Sequence, residues 1–219
     1  KSAIRGAMTG IFYNKGEVCA AGSRLLVQRS IYNEVCAAVA EQAAKFVPSA
    51  PVPGYPRSAR MGPLASKAQF DSVLNLIEVG KSEGANCLTG GAAHDNGTGK
   101  GYFVQPTVFG DVDNSMRIAQ EEIFGPVLCI IPFDDEAEAI AIANDSAYGL
   151  AAAVWTQDLG RALRVVRKVE AGTVWVNAYN LYDPSLPFGG FKASGYGRDL
   201  GAAALAAYTE SKSVWINLN

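Results

Sequence analysis

The 219-residue chain carries 19 Lys and Arg against 21 Asp and Glu, a formal net charge of -2, and 49% of its residues are hydrophobic. This composition predicts a globular protein with one core of ordinary size or two small ones, and the scattered basic residues exclude nucleic acid and anionic lipid as expected partners. The sequence shows neither the run of about 18 apolar residues that a membrane helix needs nor a signal-peptide pattern, so we expect a cytoplasmic protein that has no membrane partner.

The cysteines are far apart in the sequence, at Cys19, Cys36, Cys87 and Cys129. They form no C-x-x-C pair, and the chain has one histidine, His94, so the spacing predicts no zinc or iron-sulfur site. Disulfide frameworks are rare in cytosolic proteins. Cys36, Cys87 and Cys129 are therefore predicted to be small packed residues, whereas the neighbours of Cys19 do not resemble a core.

The first predicted helix follows Ser30, which could cap its first turn, and apolar residues then recur at Ile31, Val35, Val39 and Phe46. A second helix is predicted after Ser66, where SKAQ has the form of a capping box and an apolar face follows. The segment GGAAHDNGTGKG, residues 90–101, is rich in turn-forming residues. It is predicted to be a surface loop, which makes His94 a solvated loop residue.

The second half of the chain alternates between strand and helix patterns. Strands are predicted over residues 127–133, 150–156 and 173–177, and helices are predicted to open at Asp135 and Asp158. Such alternation predicts an α/β fold in which a largely parallel sheet is flanked by helices.

A long loop follows the last of these strands. In parallel sheets, ligands bind beyond the carboxyl ends of the strands, which directs attention to NAYNLYDPSLPFGGFKASGYGRDLG, residues 177–201. A loop of this length is too long for a simple connector. The final segment, KSVWINLN, alternates Val214 and Ile216 with polar residues and could be an edge strand for another subunit.

The stretch NKGEVCAAGSR surrounds Cys19 with small residues. A nucleophilic thiol needs an open approach for an electrophilic carbon and nearby hydrogen-bond donors. Ala20, Ala21 and Gly22 are expected to leave the approach clear and to expose their backbone amides. The local sequence is equally compatible with a packed structural cysteine, so both interpretations remain open at this point.

Three separated stretches decide between them. NKGEVCAAGSR with the following LLVQRSIYNEV, QEEIFGPVL, and LPFGGFKASGYGRDLG together resemble the aldehyde dehydrogenase superfamily, and MGPLASKAQFDSVL is similar to a further stretch of it. The order and separations match over nearly the whole chain. The resemblance implies the aldehyde dehydrogenase catalytic domain over residues 1–208, with a C-terminal oligomerisation strand over residues 209–219.

The resemblance implies oxidation of an aldehyde to a carboxylic acid with NAD or NADP. Cys19 matches the nucleophile that forms a thiohemiacetal and then a thioester. Glu122 matches the glutamate that holds the nicotinamide ribose, Phe124 and Leu150 match residues that pack near the nicotinamide, and Asn177 matches an asparagine that supports the active-site loops.

The resemblance also implies a substrate pocket lined by Val18, Leu181, Tyr182 and Phe188. These apolar and aromatic walls favour a hydrophobic aldehyde. NLYDPSLPFGG resembles the form found in arylaldehyde and phenylacetaldehyde members, so an aromatic or arylalkyl aldehyde is the preferred substrate. The family forms homo-oligomers, and a dimer or tetramer is expected for the full protein.

Parts of the family pattern do not match this sequence. The dinucleotide-binding domain, the glutamate that activates water and the oxyanion-hole asparagine are expected before the first residue, and the chain has no strand followed by G-x-G-x-x-G and a helix. We therefore expect a fragment that does not carry out hydride transfer by itself.

Alternatives from other classes remain. A cysteine hydrolase or acyltransferase would pair Cys19 with His94, and an assembly or regulatory module would need the tail strand but not the thiol. A dehydrogenase acting on small polar aldehydes would need a different pocket.

Overall fold

The computed structural model describes residues 1–49 and 59–219. A four-stranded sheet has the order β1-β6-β5-β4, where β1 is Arg24–Gln28, β4 is Asn86–Thr89, β5 is Thr107–Gly110 and β6 is Val127–Phe133. The β1, β6 and β5 strands are parallel, and β4 pairs with β5 in the antiparallel direction. The parallel α/β architecture expected from the sequence is confirmed.

Among the described residues, three two-stranded sheets accompany this central sheet. Val47–Pro48 (β2) pairs with Ala59–Met61 (β3), Tyr148–Gly149 (β7) with Phe191–Lys192 (β10), and Ala151–Val154 (β8) with Thr173–Val176 (β9). The β8 and β9 strands are parallel. They are shorter than the predicted strands over residues 150–156 and 173–177 but lie within them.

Six α-helices are found among the described residues. They are Ser2–Phe12 (α1), Tyr32–Ala43 (α2), Lys67–Ser82 (α3), Arg117–Gln120 (α4), Glu136–Asn144 (α5) and Leu159–Lys168 (α6). Short 3-10 segments cover Tyr13–Gly16, Arg29–Ile31 and Ala202–Tyr208.

Three of the predicted helix starts are confirmed. The side chains of Ser66, Asp135 and Asp158 accept hydrogen bonds from backbone amides three residues later, at 3.2, 2.9 and 3.0 Å. Such bonds satisfy amides that the first turn of a helix leaves without a partner.

The predicted cap at Ser30 is wrong. Ser30 lies inside the 3-10 segment Arg29–Ile31, and α2 begins at Tyr32 after Ile31, which makes no side-chain cap. Phe46 lies beyond the end of this helix at Ala43. The 3-10 turn uses the residues that the sequence pattern assigned to the first turn of the α-helix.

The core lies on both faces of the sheet, as β6 shows. Val127, Cys129 and Ile131 belong to the apolar cluster packed with α3 and α4, and Leu128 and Ile130 to the cluster packed with α1 and α2. Successive side chains of a strand point to opposite faces, so a continuous apolar strand fits a sheet covered on both sides.

Two cysteines are confirmed as core residues. Cys36 and Cys129 are buried, Cys87 is partly buried, and Cys19 is exposed. Burial raises the pKa of the Cys129 thiol to about 12 and also raises the pKa of Cys36. Thiols of this kind are mostly protonated and have little reactivity.

The tail, residues 209–219, forms no strand within this chain. Its apolar side chains are largely exposed, with Val214 at 72%, Trp215 at 88% and Ile216 at 75% of their full area. The predicted strand requires a second chain and stays a prediction. Within residues 1–49 and 59–219, no helix has both the length and the apolar character needed to cross a membrane.

Candidate active site

Cys19 lies in a turn just before β1. The amide of Ala21 donates to the carbonyl of Val18 at 3.0 Å, which closes the turn around Cys19 and Ala20. Cys19 is exposed, whereas Ala20 retains 3% of its area. No hydrogen bond within the described part of the chain involves the sulfur of Cys19, which is therefore open to an incoming reagent.

Two of the three backbone amides expected to be available beside the thiol are engaged in other hydrogen bonds. The Ala21 amide is used inside the turn, and the Gly22 amide donates to the carbonyl of Gly10 at 3.0 Å. The expectation that these two amides are free to stabilise an adduct is therefore wrong. They instead hold the backbone of the turn and tie it to α1.

The residues before Cys19 are also fixed. The Glu17 carboxylate accepts a hydrogen bond from the amide of Ala65 at 3.0 Å and pairs with Lys15 at 3.1 Å. Gly16 has a left-handed backbone with φ of 79°, and a Cβ there would overlap the carbonyl oxygen of Gly125. The thiol segment therefore packs directly against the segment that carries Glu122 and Phe124.

The two neighbouring glutamates at 121 and 122 have different roles. Arg117 donates two hydrogen bonds to the Glu121 carboxylate, at 2.6 and 3.2 Å. Glu122 is exposed, and no ion pair or hydrogen bond to a described residue occupies its carboxylate. A free carboxylate of this kind can accept hydrogen bonds from two hydroxyl groups, so it fits a ribose.

The turn after Glu122 is held by α3. Phe124 has a left-handed backbone with φ of 53°, which is uncommon for a bulky residue, and the residue is 38% exposed. The side-chain amide of Gln69 donates to the carbonyls of Ile123 and Phe124, at 3.0 and 2.8 Å. A Cβ at Gly125 would lie 2.6 Å from Val73, so glycine is needed there for close packing.

An aromatic cluster lies at the end of β9 and in the loop after it, and consists of Trp175, Tyr179, Tyr182 and Phe188. Tyr182 meets Trp175 and Phe188 edge to face, with ring centroids 5.5 Å apart in both pairs. Burial raises the pKa of Tyr182, and the nearby sulfur of Cys19 raises it further. The cluster is joined to the thiol turn by the hydroxyl of Tyr179, which donates to the carbonyl of Ala20, and Phe188 packs on Tyr182 within the cluster.

The other predicted pocket residues lie at the edges of this site. Val18 is half-buried and accepts the hydrogen bond that closes the thiol turn. The carbonyl of Leu181 accepts a hydrogen bond from the indole of Trp175 at 2.7 Å, and the side chain of Leu181 is 67% exposed. The backbone of Leu181 thus helps to hold the aromatic cluster, and its side chain faces solvent in this chain.

Asn177 supports a neighbouring loop. Its side chain accepts from the amide of Thr156 at 2.9 Å and donates to the carbonyl of Thr156 at 2.7 Å, and its φ is 52°. Asparagine tolerates this left-handed conformation better than most residues. Trp155, next to Thr156, packs against Gly6 of α1, so Asn177 fixes the end of β8 against the helix that leads to the thiol.

Leu150 is the predicted site residue that the described contacts do not join to Cys19. It precedes β8, is half-buried, and accepts the amide of Thr173 at 3.1 Å through its carbonyl. Its predicted contact with a nicotinamide stays a prediction.

The position of the site differs from the expectation in one respect. The thiol turn leads into β1 and the Glu122 segment leads into β6, so both lie at the amino ends of neighbouring parallel strands. By contrast, the carboxyl end of β9 is followed by Asn177 and by three members of the aromatic cluster, Tyr179, Tyr182 and Phe188. The rule that ligands bind beyond the carboxyl ends of strands therefore located the loop after β9 but missed the segments that carry Cys19 and Glu122.

Sequence reasoning did not assign roles to Gln69, Tyr179 or Trp175. Gln69 and Tyr179 act through contacts with distant segments, whereas Trp175 contacts residues four to seven positions further along the chain. The available signal was weak for all three. For Tyr179 and Trp175, the signal was the density of aromatic residues around the end of β9.

Residues 1–214 of the chain match the aldehyde dehydrogenase family. The chain belongs to the aldehyde dehydrogenase family. The resemblance read from the sequence motifs is confirmed.

Individual aldehyde dehydrogenases agree with this membership. The betaine aldehyde dehydrogenase of Sinorhizobium fredii is 49% identical over 218 residues, which cover 100% of this chain and 44% of that protein. The NAD+ complex of an aldehyde dehydrogenase from Bacillus cereus is 50% identical with a TM-score of 0.93, covering 100% of this chain and 43% of the other.

A third aldehyde dehydrogenase is the P. syringae AldA indole-3-acetaldehyde dehydrogenase, solved as a mutant in complex with NAD+ and IAA. It is 48% identical with a TM-score of 0.92, and the match covers 99% of this chain and 43% of that one. The chain thus spans less than half the length of these relatives, and its fold is that of the corresponding part of an aldehyde dehydrogenase.

Proposed function

We propose that Cys19 is the nucleophile of an NAD(P)-dependent aldehyde dehydrogenase that converts an aldehyde into a carboxylic acid. The observation that carries the proposal is an exposed thiol on a fixed turn, in a chain of this family, with no hydrogen bond to its sulfur from any described residue. The aromatic cluster is joined to this turn by the hydrogen bond from Tyr179 to Ala20. The relatives of known structure named above contain NAD+.

The chemistry begins with addition of Cys19 to the carbonyl carbon. The tetrahedral thiohemiacetal then loses a hydride from carbon and the proton of its hydroxyl group and becomes a thioester, which water hydrolyses to the acid and the free thiol. NAD(P), when bound, supplies the hydride acceptor. The fixed turn around Cys19 reduces the motion that the sulfur must lose before it reacts.

Glu122 is proposed to hold the hydroxyls of the nicotinamide ribose. Glu122 is exposed and its carboxylate has no hydrogen bond or ion pair with a described residue, whereas the carboxylate of Glu121 is engaged by Arg117. Phe124 is proposed to pack near the nicotinamide with its exposed face, and Leu150 to add an aliphatic contact. Gln69 keeps the backbone of this segment in place.

An aromatic or arylalkyl aldehyde is the proposed substrate. Tyr182 and Phe188 provide flat apolar surfaces in the aromatic cluster that Tyr179 joins to the thiol turn, with Val18 and Leu181 at the edges. The name of the P. syringae relative, an indole-3-acetaldehyde dehydrogenase, supports this substrate class.

Betaine aldehyde is the competing substrate, because the S. fredii relative is a betaine aldehyde dehydrogenase. Aromatic rings can also attract a quaternary ammonium group. Relative protection of Cys19 by phenylacetaldehyde and by betaine aldehyde separates these two proposals.

We propose that the 219-residue chain does not catalyse hydride transfer by itself. Its sequence contains no strand followed by G-x-G-x-x-G and a helix, the unit that binds a dinucleotide, and it spans 44% of the length of its S. fredii relative. We also propose that residues 1–208 form the catalytic part and that residues 209–219 form an oligomerisation strand. The full protein is proposed to assemble into a homo-oligomer and to be located in the cytoplasm. The exposed apolar tail supports assembly.

The test is alkylation of the 219-residue chain with iodoacetamide, followed by mass mapping. Cys19 is expected to react faster than Cys36, Cys87 and Cys129, and phenylacetaldehyde is expected to slow only the reaction at Cys19. The chain with Cys87→Ser is the matched control and should behave as wild type. Equal labelling of Cys19 and the buried Cys129, or no protection by either aldehyde, would contradict the proposal.

The same preparation tests the hydrolase alternative. Thiol-dependent hydrolysis of an activated ester that is lost in His94→Ala would favour a cysteine hydrolase. An inert Cys19 in a stable oligomer would favour an assembly module.

A further inference from the structure

Tyr179 joins two segments that are 159 residues apart in the sequence. It lies in the loop after β9, and its hydroxyl donates to the carbonyl of Ala20 at 2.8 Å. Ala20 directly follows Cys19. This hydrogen bond is therefore made to the turn that carries the thiol, and it comes from the segment that carries the aromatic cluster.

Two glycines make room for the ring of Tyr179. A Cβ at Gly10 would lie 3.3 Å from the ring, and a Cβ at Gly22 would lie 2.9 Å from the hydroxyl. The amide of Gly22 donates to the carbonyl of Gly10 at 3.0 Å, so these two backbones are themselves joined beside the ring. Tyr179 thus contacts both α1 and the thiol turn.

The same ring is continuous with the proposed substrate wall. Tyr179 packs on Trp175 with centroids 4.8 Å apart, and Trp175 contacts Tyr182. Burial raises the pKa of Tyr179, so its hydroxyl stays protonated and remains a donor at neutral pH. Tyr179 and Trp175 together therefore contact the backbone of Ala20, next to Cys19, and the side chain of Tyr182.

We propose that Tyr179 is a positioning residue for Cys19, because its hydrogen bond to Ala20 sets the thiol relative to the aromatic wall. This proposal rests on the proposed function of Cys19. The hydrogen bond aligns the sulfur with an aldehyde whose apolar group lies on Tyr182 and Phe188. Its loss leaves the thiol exposed but lets the turn adopt other orientations.

The first chemical step reports on this alignment without a cofactor. A carbon-sulfur bond forms, the carbonyl π bond breaks, and the thiol proton ends on the former carbonyl oxygen. No oxidant or reductant is required. The step is reversible, so an aldehyde that binds this way protects Cys19 from alkylation in the 219-residue chain.

The test compares Tyr179→Phe with Tyr32→Phe in the 219-residue chain. Tyr32 is the matched control, because its hydroxyl accepts from the amide of Asp111 at 2.6 Å and contacts the carbonyl of Ile130 at 3.4 Å, away from the thiol turn. For each variant, mass mapping gives the rate of iodoacetamide labelling at Cys19 and the phenylacetaldehyde concentration that halves it.

For Tyr179→Phe, we expect the half-protective concentration of phenylacetaldehyde to rise about fivefold, the effect of one neutral hydrogen bond. The labelling rate without aldehyde should stay within about twofold of wild type, because access to the thiol is retained. Tyr32→Phe should leave both quantities unchanged even though it also loses a tertiary hydrogen bond.

Three results would count against the positioning role. Unchanged protection in Tyr179→Phe overturns it and leaves the proposed function intact. Equal losses in both variants overturn it as well, since they show a general effect of stability. Absence of protection in the wild-type chain overturns the positioning role together with the proposed function.

Discussion

Gln69 and Phe124 are joined by a hydrogen bond of 2.8 Å between the side-chain amide of one and the backbone carbonyl of the other. The same amide donates to the carbonyl of Ile123 at 3.0 Å. Helix α3 thereby supports the left-handed residue that follows the proposed ribose-binding segment. The geometry of that segment depends on a residue distant from it in sequence.

Replacing Gln69 tests this support. Gln69→Ala removes both donors, so we expect the free energy of unfolding to fall by about 1 to 2 kcal/mol, as measured by urea denaturation. Gln157→Ala is the control, because Gln157 is exposed and makes no hydrogen bond to a described residue. Equal stability of the two variants would show that the paired hydrogen bonds do not hold the turn.

Gly16 is expected to tolerate no side chain. Gly16→Ala combines a left-handed φ of 79° with overlap between the new Cβ and the carbonyl of Gly125. Gly97→Ala is the control, since Gly97 has a φ of 73° and open space around it. Gly97→Ala should cost about 1 kcal/mol of unfolding free energy, and Gly16→Ala should cost more by at least a similar amount.

The Gly16 variant should also change the site. Displacement of the thiol turn from Gly125 is expected to weaken aldehyde protection of Cys19, whereas Gly97→Ala should not affect it. A Gly16→Ala chain as stable as Gly97→Ala, with normal protection, would contradict the close packing of these two segments.

Asn177 has two separable roles, one in backbone conformation and one in hydrogen bonding. Asn177→Gly keeps the left-handed conformation and loses both hydrogen bonds to Thr156, so unfolding free energy should fall by about 1 to 2 kcal/mol. Asn177→Ala loses the hydrogen bonds and adds backbone strain, so it should be the less stable variant. Thermal unfolding of both chains measures the order, and the reverse order would show that the strain is absent.

We expect the free energy of unfolding to depend on pH through Glu136. The hydrogen bond from Arg164 lowers the pKa of Glu136 to about 2, from an ordinary value of 4.5, and Arg161 adds to the effect. Because the folded-state pKa is lowered, this stabilisation is present above about pH 4.5 and is lost as the pH falls towards 2. The pairing joins α5 to α6.

The measurement compares urea midpoints of wild type and Glu136→Gln between pH 5.5 and 2.5. We expect wild type to be the more stable chain at pH 5.5 and the two midpoints to converge at the acidic end. Glu210→Gln, in the exposed tail, should match wild type throughout. A constant difference between wild type and Glu136→Gln would show that ionisation of this carboxyl is not responsible.

Local features of the fold were readable from the sequence. The caps at Ser66, Asp135 and Asp158 involve residues three positions apart, and β6 is one continuous apolar run. The motif around Cys19 could be assigned by resemblance, but the sequence did not show that the Ala21 and Gly22 amides are engaged.

Contacts over long separations could not be predicted in the same way. The hydrogen bonds of Gln69 with Phe124 and of Tyr179 with Ala20 depend on the strand order β1-β6-β5-β4 and on the packing of loops against it. Periodicity shows which face of an element is apolar but does not reveal its neighbours. The amino-end location of the thiol was missed for the same reason.

Because β1 and β6 are neighbours in the sheet, related proteins cannot change the length of their chain equally at every position. Cys19 reaches β1 through residues 19–23, and Glu122 reaches β6 through residues 122–126, which are leads of equal length to paired strands. An insertion or deletion in either lead would shift one group against the other, whereas the surface loop over residues 90–101 could change length freely. We expect natural variation in chain length to accumulate in that loop and to be excluded from both leads.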